Sequence, residues 1–221
     1  MRKMIYLSAL LLLFVLPIMA QQPLFPTPAK VQNGKGSFTI GKNLQIQGNG
    51  GYADKLAAGL QTELKEAGMQ SSPASGTIRL ELNNDCKMAD EAYTLVIEPN
   101  SILLQASSEA GLFYAKEALL QLSRFGKGSG RACKIQDQPR YGWRGFMLDE
   151  SRHFFGKEKV KQYLDIMASL RLNVFHWHLT DEPGWRIEIK RYPKLTTEGA
   201  VGNWHDPKAP ATFYTQEEIK E

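Results

Sequence analysis

The stretch that decides the fold is residues 143–186, which opens with WRGFMLDESRHFF (143–155) and closes with LNVFHWHLTDEPGWR (172–186). Each run is an apolar segment that ends on polar and charged residues, a pattern typical of a buried strand entering a loop. Between the two runs, residues 157–170 place apolar side chains at helical spacing. A strand, an amphipathic helix and a second strand predict a β–α–β unit, and we expect its two strands to be parallel.

The region before this unit alternates short strand and helix patterns. Strands are predicted at 37–40, 44–47, 77–82, 93–97 and 102–105, and helices at 53–67 and 109–124. Pro99-Asn100-Ser101 separates the last two strands and predicts a hairpin. Helices interspersed among hairpin strands indicate an α+β domain. The polar run 135–138 before Pro139 is interpreted as the junction, so that residues 21–138 form one domain and residues 139–221 begin another.

The first 20 residues have the pattern of a cleavable export signal. Arg2 and Lys3 precede an uncharged apolar stretch, 5–19, and Ala20 is a small residue suited to cleavage. A membrane anchor is the alternative, but the stretch is short for about 30 Å of hydrocarbon and Pro17 interrupts it. We therefore expect an exported protein, whether periplasmic, surface-bound or secreted, with no stable membrane insertion.

Charge and cysteine content narrow the classes of function. The chain has 27 basic and 23 acidic residues, and without Arg2 and Lys3 the balance is 25 to 23, spread along the sequence. No basic patch therefore favours a nucleic-acid partner. Export permits a disulfide between Cys86 and Cys133, but two free buried thiols fit equally well. Since the sequence has no CxxC pair, a thiolate zinc site is disfavoured.

The ends of the two predicted parallel strands carry the residues most suited to chemistry. In parallel α/β folds, functional side chains gather at the carboxyl ends of the strands. Here those ends are 149–155 and 176–186, both of which combine carboxylates, aromatic rings and an arginine. Aromatic rings stack on the C–H face of a sugar while charged groups bind its hydroxyls. The composition of the two strand ends therefore favours carbohydrate binding.

The same residues also fit structural roles. Arg152 can pair with Asp149 or Glu150 and simply tie the loop to the strand ends. Asp181 can cap the turn before Pro183, a common use of aspartate.

Two functional alternatives also stay open. His176 and His178 share one face of a strand, where they can either pack in the interior or begin the zinc site of a metal-dependent barrel hydrolase. The other alternative is a non-catalytic carbohydrate-binding module.

Both runs resemble a known family. Residues 143–155 and 172–186 are similar to the first barrel strand, and to the second strand and its loop, of family 20 glycoside hydrolases, the β-N-acetylhexosaminidases. The segments 110–114 and 119–122 are more weakly similar to the small α+β domain that precedes the barrel in that family. The resemblance implies a (β/α)8 TIM barrel with its site at the carboxyl ends of the strands.

The resemblance also implies an activity. Enzymes of this family remove terminal N-acetylglucosamine or N-acetylgalactosamine from glycans and retain the anomeric configuration, because the acetamido oxygen of the substrate is the nucleophile. A glutamic acid protonates the leaving oxygen and a neighbouring aspartate orients the acetamido group. Neither a metal nor an organic cofactor is expected, and the partner is a glycan or glycoconjugate.

Carried over residue by residue, the resemblance gives roles to two positions. Arg152 would bind adjacent hydroxyls at the far edge of the terminal sugar, because its planar guanidinium holds two acceptors at once. Asp181 would bind substrate and support a carboxylate–histidine network that tunes the acid. Glu182 receives no direct role.

One family motif is missing from the sequence. The family's His-x-Gly-Gly-Asp-Glu motif does not occur among the 221 residues, and neither Asp149-Glu150 nor Asp181-Glu182 can replace it. We therefore expect a truncated barrel without its catalytic Asp-Glu pair, inactive and poorly stable by itself, since a complete barrel takes about 250 residues.

Overall fold

The structure is a computed structural model that describes residues 24–67, 69, 72–85, 87–203 and 205–221. The predicted export signal and Cys86 lie outside these residues. Cys133 is buried, and its pairing with Cys86 stays open. Within the described part of the chain, no helix is both long enough and apolar enough to cross a bilayer.

The secondary structure follows the order expected from the sequence, with additional strands. The strands are β1 Lys30–Thr39, β2 Gly41–Gly48, β3 Ser72–Leu82, β4 Tyr93–Glu98, β5 Ser101–Ala106, β6 Ser129–Asp137, β7 Gly145–Asp149, β8 Val174–His178, β9 Thr180–Asp181 and β10 Gly184–Trp185. The helices are α1 Tyr52–Glu66, α2 Glu109–Phe125, α3 Lys157–Ser169, α4 Lys194–Thr197 and α5 Gln216–Lys220.

The first part of the chain forms a mixed sheet of six strands in the order β1-β6-β4-β5-β3-β2. Strands β2, β3 and β5 are parallel to one another, and the other pairs are antiparallel. The predicted hairpin is confirmed, with Tyr93 paired to Ala106 and Glu98 to Ser101. Alternate apolar residues of these strands, such as Leu95 and Leu104, are buried with the apolar faces of α1 and α2 in one core.

Strands β1, β2 and β3 begin before their predicted starts, and β6 lies where no strand was predicted. Gly41 lies outside the predicted strand 44–47, but it begins β2, where a Cβ would lie 2.1 Å from the carbonyl oxygen of Ala74 on β3. The glycine thus permits a close approach of two strands. The first three residues of the predicted junction 135–138 form the end of β6, where buried Cys133 and Ile135 alternate with exposed polar side chains. Because β6 is half exposed and rich in polar residues, its apolar alternation is too weak to predict a strand.

The second part of the chain begins with β7, α3 and β8. The two strands are parallel, as predicted, with Gly145 opposite Val174 and Asp149 opposite His178. Residues 141–144 lie outside β7, and the side chains of Tyr141 and Trp143 are exposed. A second core forms where β7, β8, α3 and α5 meet, and its members are Leu148, Val160 and Tyr214 with Phe146, Phe154, Tyr163, Phe175, Trp177, Leu179 and Ile219 packed on them.

A polar network joins the two parts of the chain. Glu91, in the loop before β4, accepts hydrogen bonds from Arg144 at 2.9 and 3.1 Å, Asn173 at 3.2 Å and Tyr114 at 3.2 Å. Arg171 reaches back to the carbonyl of Pro26 at 2.6 Å. These contacts position the β7–α3–β8 unit against the sheet domain at the end where its strands begin.

Candidate active site

The candidate site lies where β7 and β8 end. Since Asp149 pairs with His178, both strands stop at the same level and their following loops begin side by side. Alternation along the strands separates their side chains into two faces. One face packs against α3 in the second core, and the other carries Met147, Asp149, His176 and His178.

Arg152 links the two strand ends. Its Nη2 lies 2.9 Å from Oδ2 of Asp181, and its Nη1 donates to Asp149. The backbone N–H of Arg152 also donates to Oδ1 of Asp149, at 3.1 Å. Pairing with Asp149, one of the structural alternatives, is therefore present, but pairing with Glu150 is not. The Arg152 side chain remains about half exposed (48%), so the guanidinium is open to a ligand.

Asp181 is the last residue of the short strand β9, at the start of the tight turn that leads to β10. Its Oδ1 accepts the backbone N–H of Glu182 at 2.8 Å, so the predicted turn-capping role is present. Its Oδ2 faces Arg152 and also lies 3.6 Å from Nε2 of His178. One carboxylate therefore stabilises its own turn and connects the two loops. We refer to Asp149, Arg152, His178 and Asp181 as the strand-end site.

The electrostatics of the strand-end site lower the pKa of both of its carboxyl groups. The pKa of Asp181 is lowered, first by the hydrogen bond from the Glu182 backbone and then, against partial desolvation, by the charge of Arg152. Burial acts to raise the pKa of Asp149, but the hydrogen bonds from Arg152 outweigh it and the net shift is downward. Two carboxylates held as anions keep a guanidinium between them.

Beneath the strand-end site lies a buried polar layer that the sequence analysis missed. Glu150 is fully buried and accepts hydrogen bonds from the Tyr214 hydroxyl and the Phe155 backbone N–H, both at 2.8 Å. Burial raises the pKa of Glu150. Arg186 is also fully buried, so it is excluded from direct contact with a ligand, although the sequence placed it among the polar residues of the second strand end. The sequence signal for this layer was a charged residue close to an apolar run, as at Glu150 and Arg186.

The aromatic residues are mostly structural. Trp177 packs on Tyr214 with ring centroids 4.7 Å apart, on the strand face opposite His176 and His178. Trp185 donates its indole N–H to the carbonyl of Ile187 at 2.7 Å. Trp143 is exposed, but it lies before the start of β7, at the end away from the strand-end site.

The two histidines of β8 stack on one face, as predicted, with ring centroids 5.8 Å apart. A zinc site needs at least one further protein ligand near them. Among the described residues, no group of three or more histidine, cysteine, aspartate or glutamate side chains is arranged to hold a metal ion. The described residues alone therefore do not complete the zinc site of the metal-hydrolase alternative.

Family models account for both parts of the chain. The model for "Glycosyl hydrolase family 20, domain 2" matches residues 21–138, and the model for "Glycosyl hydrolase family 20, catalytic domain" matches residues 141–221. The chain belongs to glycosyl hydrolase family 20. The catalytic-domain match contains β7, β8 and the whole strand-end site, and the domain 2 match contains the six-stranded sheet.

Individual family 20 proteins agree with this assignment. A beta-hexosaminidase of Vibrio furnissii is 36% identical over 210 residues, which cover 90% of this chain and 34% of the relative. A beta-hexosaminidase of Porphyromonas gingivalis is 36% identical over 179 residues, 76% of this chain and 23% of the relative. The chain thus spans about a quarter to a third of the length of these relatives.

Solved structures match both in sequence and in fold. The exo β-N-acetylglucosaminidase of Vibrio harveyi, in complex with N-acetylglucosamine, superposes with a TM-score of 0.79 at 35% identity, covering 90% of this chain and 33% of that protein. The N-acetyl-β-hexosaminidase of Streptomyces plicatus superposes with a TM-score of 0.78 at 32% identity, covering 91% and 42%.

Proposed function

We propose that this chain is part of an exo-acting β-N-acetylhexosaminidase, which hydrolyses terminal N-acetylglucosamine or N-acetylgalactosamine from glycans. It supplies the site that recognises the sugar edge, by which we mean the ring edge opposite the anomeric carbon. Membership of family 20 supports a glycosidase. The relatives named beta-hexosaminidase and a relative solved with N-acetylglucosamine support the substrate class.

The observation that carries the proposal is the bridge from Asp149 through Arg152 to Asp181 across the ends of β7 and β8. It presents a half-exposed guanidinium, fixed by two carboxylates, at the carboxyl ends of parallel strands. A planar guanidinium can donate to two adjacent hydroxyl oxygens in a fixed geometry. The ring edge opposite the anomeric carbon has such hydroxyls only on a terminal sugar unit, so this residue selects chain ends.

The proposed reaction follows the substrate-assisted scheme. The acetamido oxygen of the bound sugar attacks its anomeric carbon while a glutamic acid donates a proton to the leaving oxygen. Water then attacks the anomeric carbon and opens the cyclic intermediate, its proton returns to the glutamate, and the configuration is retained. The Asp-Glu pair for this step is proposed to lie outside these 221 residues, in a barrel that β7, α3 and β8 begin. Within the chain, Arg152 binds the sugar and Asp181, with His178 at 3.6 Å, supports the network that tunes the acid.

Two further features belong to the proposal. Arg2, Lys3 and the apolar stretch 5–19 support export through a cleaved signal. The substrate supplies its own nucleophile, so the chemistry requires neither a metal nor an organic cofactor.

The test uses the protein expressed from its complete gene. We expect release of the aryl group from an aryl β-N-acetylglucosaminide, with the β-anomer formed first as followed by proton NMR. Activity should persist after incubation with a strong chelator. Loss of activity in the chelator, restored by zinc, would support the metal-hydrolase alternative, and sugar binding without turnover would support the binding-module alternative.

A further inference from the structure

Arg186 is the largest fully buried side chain of the described residues. Its guanidinium donates only to oxygens of neutral groups, most of them backbone carbonyls. The acceptors are the carbonyls of Glu150 (3.2 Å), Ser151 (3.0 Å), Ala200 (2.8 Å), Gly202 (2.9 Å) and Thr212 (3.1 Å), and the Thr212 hydroxyl (3.1 Å). No other side chain has five N–H donors in a rigid plane, so no other can hold this many carbonyls at once.

These hydrogen bonds connect three segments of the chain. The first segment is the loop after β7, which contains Glu150 and Ser151. The second contains Ala200 and Gly202, and the third contains Thr212, two residues before Tyr214. Within the described residues, no carboxylate lies within ion-pair distance of Arg186, whose acceptors are those six oxygens. The guanidinium therefore acts on the backbone, and its effect is to fix where these carbonyls lie.

The two carbonyls in the loop after β7 belong to the residues that immediately precede Arg152. The same two residues are also held from other directions, because the Glu150 N–H donates to the carbonyl of His178 at 3.0 Å and the Ser151 hydroxyl donates to the carbonyl of Gly184 at 2.7 Å. Arg152 itself has a long, half-exposed side chain. Such a side chain reaches a defined point only when its own Cα is fixed by the backbone before it.

We propose that Arg186 is a positioning residue: by clamping the carbonyls of Glu150 and Ser151, it sets the place of Arg152 and thereby the recognition of the sugar edge. The proposal rests on the function proposed above. It assigns to Arg186 no contact with substrate, since the residue is fully buried. It predicts that sugar-edge discrimination depends on a residue that the sugar never touches.

Gly184 offers an independent way to move the guanidinium. A Cβ at this position would lie 2.4 Å from both Cζ and Nη2 of Arg186. The guanidinium can yield to this Cβ only by giving up some of its hydrogen bonds to the carbonyls. Gly184→Ala therefore displaces the guanidinium but keeps its charge and all five of its N–H donors.

The experiment measures discrimination at the sugar edge in the protein expressed from its complete gene. The ratio of kcat/KM for an aryl β-N-acetylglucosaminide to kcat/KM for its 4-deoxy analogue is compared in wild type, Arg152→Ala, Arg186→Lys and the double variant. We expect Arg186→Lys to lower the ratio about tenfold. The double variant should have the ratio of Arg152→Ala alone, because both substitutions remove the same interaction, that of Arg152 with the sugar.

Each outcome decides a different point. Folded Arg186→Lys with a wild-type ratio, even if less heat-stable, would reduce Arg186 to a structural residue and overturn the proposal. A wild-type ratio in Arg152→Ala would remove the role of Arg152 and the inference with it, while turnover of the parent substrate would still support the hexosaminidase activity itself.

A second variant keeps the proposal falsifiable. If Arg186→Lys does not fold, Gly184→Ala takes its place with the same expected loss of discrimination, and an unchanged ratio overturns the proposal. The matched control is Gly59→Ala in α1, where a Cβ would meet only the Glu63 carboxylate at 4.0 Å. This control should leave the ratio unchanged.

Discussion

Nη2 of Arg152 lies 2.9 Å from Oδ2 of Asp181, although the two residues come from the loops after different strands. Their meeting depends on the parallel pairing of β7 and β8, which brings both strand ends to one level. An antiparallel pair would have placed the two loops at opposite ends of the sheet. The ion pair is therefore a direct consequence of topology, and it joins the residue proposed to bind the sugar to the residue proposed to support the acid.

Arg152→Ala tests the role of the guanidinium in the protein expressed from its complete gene. We expect kcat/KM for an aryl β-N-acetylglucosaminide to fall about a hundredfold, because a pair of charge-assisted hydrogen bonds to the sugar is lost. The matched control is Arg124→Ala, an exposed arginine near the end of α2 in the sheet domain. Near-normal turnover by Arg152→Ala would mean that Arg152 does not bind the sugar and has only a structural role, in its ion pairs with Asp149 and Asp181.

Asp181→Asn tests the pH dependence of the strand-end site. The folded-state pKa of Asp181 is lowered, so its stabilising contribution is present above the ordinary aspartate pKa of about 3.9 and is lost as the pH falls through the lowered value. We expect wild type to have the higher midpoint of thermal unfolding at pH 5 to 7. The difference from Asp181→Asn should shrink below about pH 4. A difference that does not depend on pH would exclude the ionised carboxylate as its cause.

Glu150→Gln tests a contribution to stability whose dependence on pH is opposite to that of Asp181. Burial raises the pKa of Glu150 in the folded protein, so the folded state binds its proton more tightly than the unfolded state does. Stability therefore falls as the pH rises from the ordinary glutamate pKa of about 4.3 through the raised value. Glutamine does not titrate, and unfolding midpoints measured from pH 4 to 7 should shift in favour of the variant as the pH rises. Parallel curves for the two proteins would contradict this account.

Glu91→Gln tests the network between the two parts of the chain. The hydrogen bond from Arg144 is the largest cause of the lowered pKa of Glu91, and the side chains are 14% and 19% exposed. We expect a loss of about 1–2 kcal/mol in the free energy of unfolding at pH 7, since a charge-assisted pair becomes a neutral one. Urea unfolding measures it, with exposed Glu66→Gln on α1 as the control. Equal urea midpoints for the two variants would contradict the prediction.

Ser108→Ala isolates a local contribution to the sheet domain. The Ser108 hydroxyl accepts the N–H of Gly111 at 3.0 Å at the beginning of α2, and the N–H of Glu91 at 3.4 Å. Removing a helix N-cap of this kind costs about 1 kcal/mol, which urea unfolding can measure. Ser108→Asp keeps an acceptor and should recover most of the loss. If alanine and aspartate behave alike, the cap is not what stabilises this helix end.

The sequence by itself determined the elements with strong periodicity. The helices at 52–66, 109–125 and 157–169 and the parallel strands β7 and β8 follow from apolar spacing, because burial of one face acts locally on each segment. The resemblance of 143–155 and 172–186 to family 20 also pointed to Arg152 and Asp181 from sequence.

Only the tertiary structure decided the half-exposed strand β6, the start of β2 at Gly41 and the buried layer under the strand-end site. Strand pairing at β6 and β2 depends on neighbours far along the chain, which local patterning cannot show. The same holds for the surroundings of Arg186, since its acceptors come from three separate segments. A charged residue near a predicted site looks like a ligand contact in sequence. Whether it faces solvent or is enclosed by backbone carbonyls is set by how those segments pack, and here the packing encloses it.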